Sequence, residues 1–255
     1  MNGEIVVILG AGRALLMQIA HPLVAAGVCD HSHFGIDAFT RLWRTIDTVL
    51  TVAFGDTEQA MAAADRVTEI HRGVVGTRDG RPYRALDPDL LLWVHATLVD
   101  TALVTYERFV APLTRSERES YYLEMRRFAA AFGVPQEVVP TDLATFDGYL
   151  HGTLAGLEVT DEARHLAAEV LAPPVHPAWA PLRVLFREAT IGLLPERLRS
   201  GFGAAWTPAR DRALAAAAWT TRRTLPALPP NVRRWAHARD AVGRSGPKRG
   251  GYLGE

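Results

Sequence analysis

The sequence predicts an all-α fold, a single globular helical domain. Three observations carry that prediction. Apolar residues recur at spacings of three and four, the period of a helix face. Capping residues and Gly or Pro stops punctuate the chain at helix-length intervals. Alternating polar and apolar runs, the mark of half-buried strands, are nearly absent. With 255 residues, 48% of them hydrophobic, the chain is long enough for a sizeable core.

The elements follow in order. A first helix covers Arg13 to Ala20 and stops before His21-Pro22, because the residue preceding proline resists the α conformation. Asp37 to Phe54 reads as a second, closed by Gly55. Asp56-Thr57 caps a third that runs to about Val75 and ends at Gly76. Arg78-Asp79-Gly80-Arg81-Pro82 is a turn. Pro88 opens a long fourth helix to Phe109, and Thr114 with Glu117 forms a capping box for a fifth ending at Gly133. Thr141 to Ala155, Thr160 to Leu171, Trp179 to Leu193 and Pro208 to Leu225 complete the set. The run Pro173-Pro174-Val175-His176-Pro177 is the best internal boundary, and the stretch after it is too short to be an independent domain. Residues 1–240 are therefore expected to share one core. Residues 241–255, basic and glycine-rich, are expected to be a disordered tail.

Composition narrows the function classes. Formal net charge is zero, so nothing in the overall charge argues for nucleic acid or an anionic membrane as partner. The most apolar run, Leu90 to Val99, is interrupted by His95 and is too short to span a bilayer. No signal peptide is visible, and a single cysteine, Cys29, fits a reducing compartment, so a cytoplasmic location is expected. Of the 28 basic residues 27 are arginine, the one lysine being Lys248 in the tail. Schiff-base and phosphate-loop lysine chemistry is thereby set aside.

The start of the chain imitates a dinucleotide site. Ile5-Val6-Val7-Ile8-Leu9-Gly10-Ala11-Gly12 looks like a strand and glycine turn, but position 15 is Leu15, where a small residue is needed. No second strand ends in an acid near Asp30. A glycine-started helix is the better use of Gly10 and Gly12.

His71 is the most informative residue. Ala60, Ala64, Val67, His71 and Val74 share one helix face, while Glu58, Asp65, Glu69 and Arg72 take the others. An imidazole on a core-facing stripe needs a polar partner, because burying it unpaired costs roughly 1–3 kcal/mol. A backbone carbonyl, a side chain or a metal would serve. Three clusters surround it in sequence. His21, Cys29, His31 and His33 have zinc-type ligand chemistry, or are a polar loop whose histidines cap helix ends. Arg41, Arg44 and Thr45 lie along one helix beside the stripe Leu42, Ile46, Val49, Leu50 and Ala53; they suit an anion, or are a solvated face. The nearly all-apolar fourth helix carries His95, either a satisfied core histidine or a second imidazole offered with His71 to one cavity by an antiparallel helix pair.

Taken together these segments resemble the haem oxygenase family of the rubber oxygenases (latex-clearing proteins) and MpaB-type oxygenases, in its bacterial branch. The pieces are Gly10 to Leu16, Gln18 to Pro22, His31 to Phe34, Arg41 to Thr45, Val67 to Val74, Asp87-Pro88 and Trp93 to Thr97. The resemblance implies a helical domain enclosing a haem pocket, with one b-type haem and His71 as the protein ligand to iron. It puts Arg41, Arg44 and Thr45 near the opposite haem face, with arginine at 44 where rubber oxygenases carry lysine. Arginine stays charged and does not normally ligate iron. It leaves His21 and His95 to line the pocket or orient ligands. It implies dioxygen and a small hydrophobic, alkene-like substrate. A haem-binding or sensing protein without turnover, and a non-haem metal enzyme built on the His21–His33 segment, stay open as alternatives.

Overall fold

The computed structural model describes residues 1–31, 34–172, 176 and 180–245, with side chains at 34–43 and 245 excepted. It is predominantly helical, as the sequence predicts; among the described residues it also has one two-stranded sheet, which the sequence reading did not expect.

A 3-10 turn, Ile5–Gly10, replaces the strand-like start and leads into α1, Ala11–Ile19. Gly10 and Gly12 are there for packing. A Cβ at Gly10 would lie 2.2 Å from Thr105 Oγ1, and one at Gly12 would lie 2.1 Å from Thr190 Oγ1. Their absence lets α1 lie close against α5 (Pro88–Phe109) and α9 (Ala180–Leu193). Leu16, Met17 and Ile19 of α1 then enter the main core with Trp93, Val99 and Leu103 of α5. The indole Nε1 of Trp93 donates to the carbonyls of Met17 and Gln18 at 3.2 and 3.3 Å, closing the end of α1.

His21-Pro22 does more than stop α1. Pro22 opens a further helix, α2 (Pro22–His31), because proline suits a first helical turn. The loop expected around Cys29 and His31 is therefore helical up to His31. The next two helices, α3 (Phe34–Phe54) and α4 (Thr57–Arg72), are joined by Gly55-Asp56 and pack on each other as a hairpin. Asp56 and Gln59 form the capping box at the start of α4. The chain from Val75 then makes a hairpin rather than more helix: β1 (Val75–Arg78) pairs antiparallel with β2 (Arg81–Arg84). Asp79 and Gly80 turn it with φ of 51° and 73°, conformations that suit an Asp-Gly pair. Tyr83 of β2 is buried and donates to Asp30 Oδ2 at 2.6 Å, pinning the hairpin to α2.

The helices α6 (Arg115–Ala131), α7 (Leu143–Gly156) and α8 (Asp161–Leu171) begin at Thr114, Asp142 and Thr160, each of whose side chains accepts from a backbone N–H. Tyr122, Met125, Phe146, Leu166 and Val170 carry them into the main core. Past the proline-rich segment, which lies largely outside the described residues, come α9, α10 (Glu196–Gly201) and α11 (Pro208–Thr224). Ala189, Leu214 and Ala218 pack with Leu9 and Phe109, so this end docks on the same helices as the start of the chain. The short α12 (Pro230–Arg233) and α13 (Ala236–Ser245) follow. Helix α13 continues past the boundary expected at 240; residues 246–255 lie outside the described residues. Glu4 ties both ends together, accepting from Arg233 Nε and Nη2 at 2.7 and 2.8 Å.

Candidate functional site

The α3–α4 hairpin brings the two most informative sequence segments to one level. Equal rises counted from its turn put His71, in the last turn of α4, level with positions 40–41 of α3. Arg44 and Thr45 lie one further turn along. Arg44 and Thr45 are exposed, in keeping with the solvated-face alternative, and Arg44 makes no ion pair among the described residues. The side chain of Arg41 lies outside the described residues.

The stripe read from the sequence holds. Ala63 and Ala64 are buried, and Ala60, Val67, His71 and Val74 are half-buried, while Glu58, Asp65, Glu69 and Arg72 are exposed. His71 makes no side-chain hydrogen bond among the described residues. Burial alone depresses its pKa, which favours the neutral ring.

Two more imidazoles share that condition. His95 on α5 is 5% exposed and stacks on Phe128 of α6, ring centroids 6.3 Å apart. Its Nε2 is buried without a hydrogen-bond partner in the protein, and desolvation pushes its pKa down to about 4. His21, at the joint of α1 and α2, has a buried Nδ1 in the same state; burial lowers its pKa, against a smaller raising effect of Asp89. Neutral imidazoles with uncommitted nitrogens are the donor type that haem iron takes, so the residues fit such a group.

Not every expectation survives. Helix α4 does not form an antiparallel pair with α5 that offers His71 and His95 to one cavity. Its neighbours are α3 and α6, because the β-hairpin intervenes between α4 and α5. The His21–His33 cluster does not assemble either. His21 precedes α2 while Cys29 and His31 close it, roughly 12–15 Å away at 1.5 Å per residue. His31 Nε2 instead lies 3.0 Å from the carbonyl of Val75, and His33 lies outside the described residues. Among the described residues no group of three or more His, Cys, Asp or Glu side chains is placed to hold a metal ion.

The sequence reading also missed a buried polar centre. Arg13 is 3% exposed and donates to Asp100 at 2.6 Å, Thr101 Oγ1 at 2.7 Å and the Leu193 carbonyl at 2.7 Å. It locks together α1, α5 and the end of α9. Its signal was an arginine set beside two glycines, inside an otherwise apolar helix.

The comparisons with known proteins bear on this arrangement. Residues 1–223 match the family described as ER-bound oxygenase mpaB/B'/Rubber oxygenase, catalytic domain. The chain belongs to this oxygenase family. It is also 30% identical over 209 residues to the uncharacterized protein Rv2237 of Mycobacterium tuberculosis, covering 78% of this chain and 80% of that one. The uncharacterized protein Mb2261 of Mycobacterium bovis matches to the same extent. No solved structure gives a significant match. Family membership makes oxygenase chemistry the frame for the site, and the matched residues include His21, Arg41, Arg44, Thr45, His71 and His95.

Proposed function

We propose that the protein is a haem-b-dependent oxygenase that uses dioxygen on a small hydrophobic substrate, in the cytoplasm. The observation that supports this best is His71: a half-buried imidazole whose pKa is lowered by burial, without a side-chain hydrogen bond among the described residues, level with an arginine-bearing stretch of α3 in a chain of an oxygenase family. When bound, haem b supplies the redox-active iron that an oxygenase needs to use dioxygen. His71 offers the ring nitrogen for the metal, and burial keeps it unprotonated. Arg44 and Arg41, with Thr45, meet anionic charge at the site, the porphyrin carboxylates included; a permanent guanidinium suits that role better than a titrating lysine. His95 and His21 are neutral in the same way and serve as lining groups, available as hydrogen-bond partners without adding charge. Apolar side chains around the cofactor would exclude water and favour an apolar substrate.

An absorption spectrum of protein purified after expression with haem supply, with a pyridine haemochromogen assay, tests this. A Soret band with b-haem in stoichiometric amount is expected, lost in His71→Ala and kept in His33→Ala. The opposite pattern overturns the ligand assignment. Oxygen uptake that depends on an added alkene separates an oxygenase from a protein that only holds haem.

A further inference from the structure

The charge of this chain is balanced overall, 28 basic against 28 acidic residues, but it is not evenly spread. Residues 207–245 hold eight arginines and two acidic residues. Glu188 engages Arg210, and Glu4 engages Arg233. Arg212 and Arg223 make no ion pair among the described residues. Both lie on α11, and with Ala216 and Trp219 they recur at spacings of four, three and four, one face of the helix. The opposite face buries Leu214 and Ala218 against the core.

That outer face is apolar as well as basic. Trp219 is 60% exposed and carries the Arg223 guanidinium 5.0 Å from its ring centroid. Past the buried Leu225, Leu228 and Val232 are exposed as well, at 41% and 54%. An exposed tryptophan flanked by unpaired arginines and followed by aliphatic side chains is the composition of a membrane-interface element.

We propose that the outer face of α11 and the exposed apolar residues after it form a docking surface for an anionic phospholipid bilayer. Arg212 and Arg223 meet lipid phosphates while Trp219, Leu228 and Val232 enter the headgroup region. Charge complementarity selects this occupant. A second copy of the chain would set arginine against arginine, and a nucleic acid would leave the aliphatic residues without a role. Among the described residues no single helix is long and apolar enough to cross a membrane.

Vesicle co-sedimentation of the full chain tests the proposal, using phosphatidylcholine alone and an equal mixture with phosphatidylglycerol. Binding is expected only to the anionic vesicles, and is expected to weaken with added salt. Each of Arg212→Gln and Arg223→Gln should lower the affinity about five-fold, the effect of roughly one surface charge. Trp219→Ala should lower it further. All three positions are exposed, so an unchanged melting temperature verifies folding. Three results overturn the proposal: no binding to anionic vesicles, binding indifferent to these substitutions, or a Trp219-independent preference for duplex DNA over vesicles. Concentration-dependent dimerisation abolished by Trp219→Ala would also overturn it, assigning the face to a second copy.

Discussion

Arg13 and His95 are both buried polar groups on central helices that pack together, and the fold treats them in opposite ways. Each nitrogen of the Arg13 guanidinium has a partner: Asp100, Thr101 and the Leu193 carbonyl each accept from a different one. His95 buries its Nε2 with no protein partner and keeps the ring uncharged. Full satisfaction marks a group that holds helices in register. An unsatisfied imidazole contributes nothing to stability as a lone polar atom, so its retention points to a role beyond packing.

The largest expected effect comes from breaking the satisfied side. Arg13→Ala leaves Asp100 as an uncompensated, largely buried carboxylate and unfastens α9 from α1. It should cost about 3–5 kcal/mol, the range for removing one partner of a buried ion pair. Urea unfolding of the apoprotein measures it. A loss below about 1 kcal/mol would mean that water replaces Asp100's partner and the centre is not structural.

Acid is the next lever, and it acts on the other side. The folded pKa of His95 is about 4, below its ordinary 6.5. Between those values the unfolded chain binds a proton that the folded chain refuses, so stability rises with pH there. The contribution is intact above about pH 6.5, is lost progressively as pH falls toward 4, and levels off below that. It is worth about 3 kcal/mol at 1.36 kcal/mol per unit. His21 and His71 are depressed by burial too and add to the loss in the same direction. Apoprotein stability measured across this window should fall more in the native chain than in His95→Leu. Parallel curves would show that His95 is not the group being titrated.

How much of this contrast was legible in the sequence depends on the kind of signal. Helix starts were, because Asp56, Thr114 and Thr160 cap them with side chains whose chemistry is local. The stripe carrying His71 was, because periodicity is local as well. Helix α2 was not: His21-Pro22 was read as a stop, when the same proline starts the next helix. Neither was Arg13, since an arginine's burial depends on Asp100 and Leu193, 87 and 180 residues away. Net charge hid the basic face of α11, because a sum over the chain discards position. The relation of α4 to α5 was misread for a similar reason, as four-residue strands gave too little alternation to register against helical neighbours.

Close packing around Arg13 gives a smaller effect. Gly12→Ala would set its methyl group 2.1 Å from Thr190 Oγ1 and 2.8 Å from Phe186 Cζ. The helices must part by a fraction of an ångström, at about 1–3 kcal/mol for overpacking. The double change Gly12→Ala with Thr190→Ala should recover most of that loss, because it removes the atom that is struck. Failure to recover would place the strain elsewhere, at Phe186.

The smallest effect is the most discriminating, because its sign is opposite. His95→Leu replaces an unpartnered imidazole by an apolar side chain of similar size against Phe128. Removing a buried polar atom that no protein group answers should leave the apoprotein at neutral pH unchanged or about 1 kcal/mol more stable. The comparable change at Arg13 would be strongly destabilising, so the two sites separate by sign rather than degree. If His95→Leu instead costs as much as Arg13→Ala, the imidazole has a protein-bound partner in solution and belongs with the structural groups. If stability is kept while the haem stoichiometry of the holoprotein falls, the nitrogen that the fold leaves unanswered is used by the cofactor site.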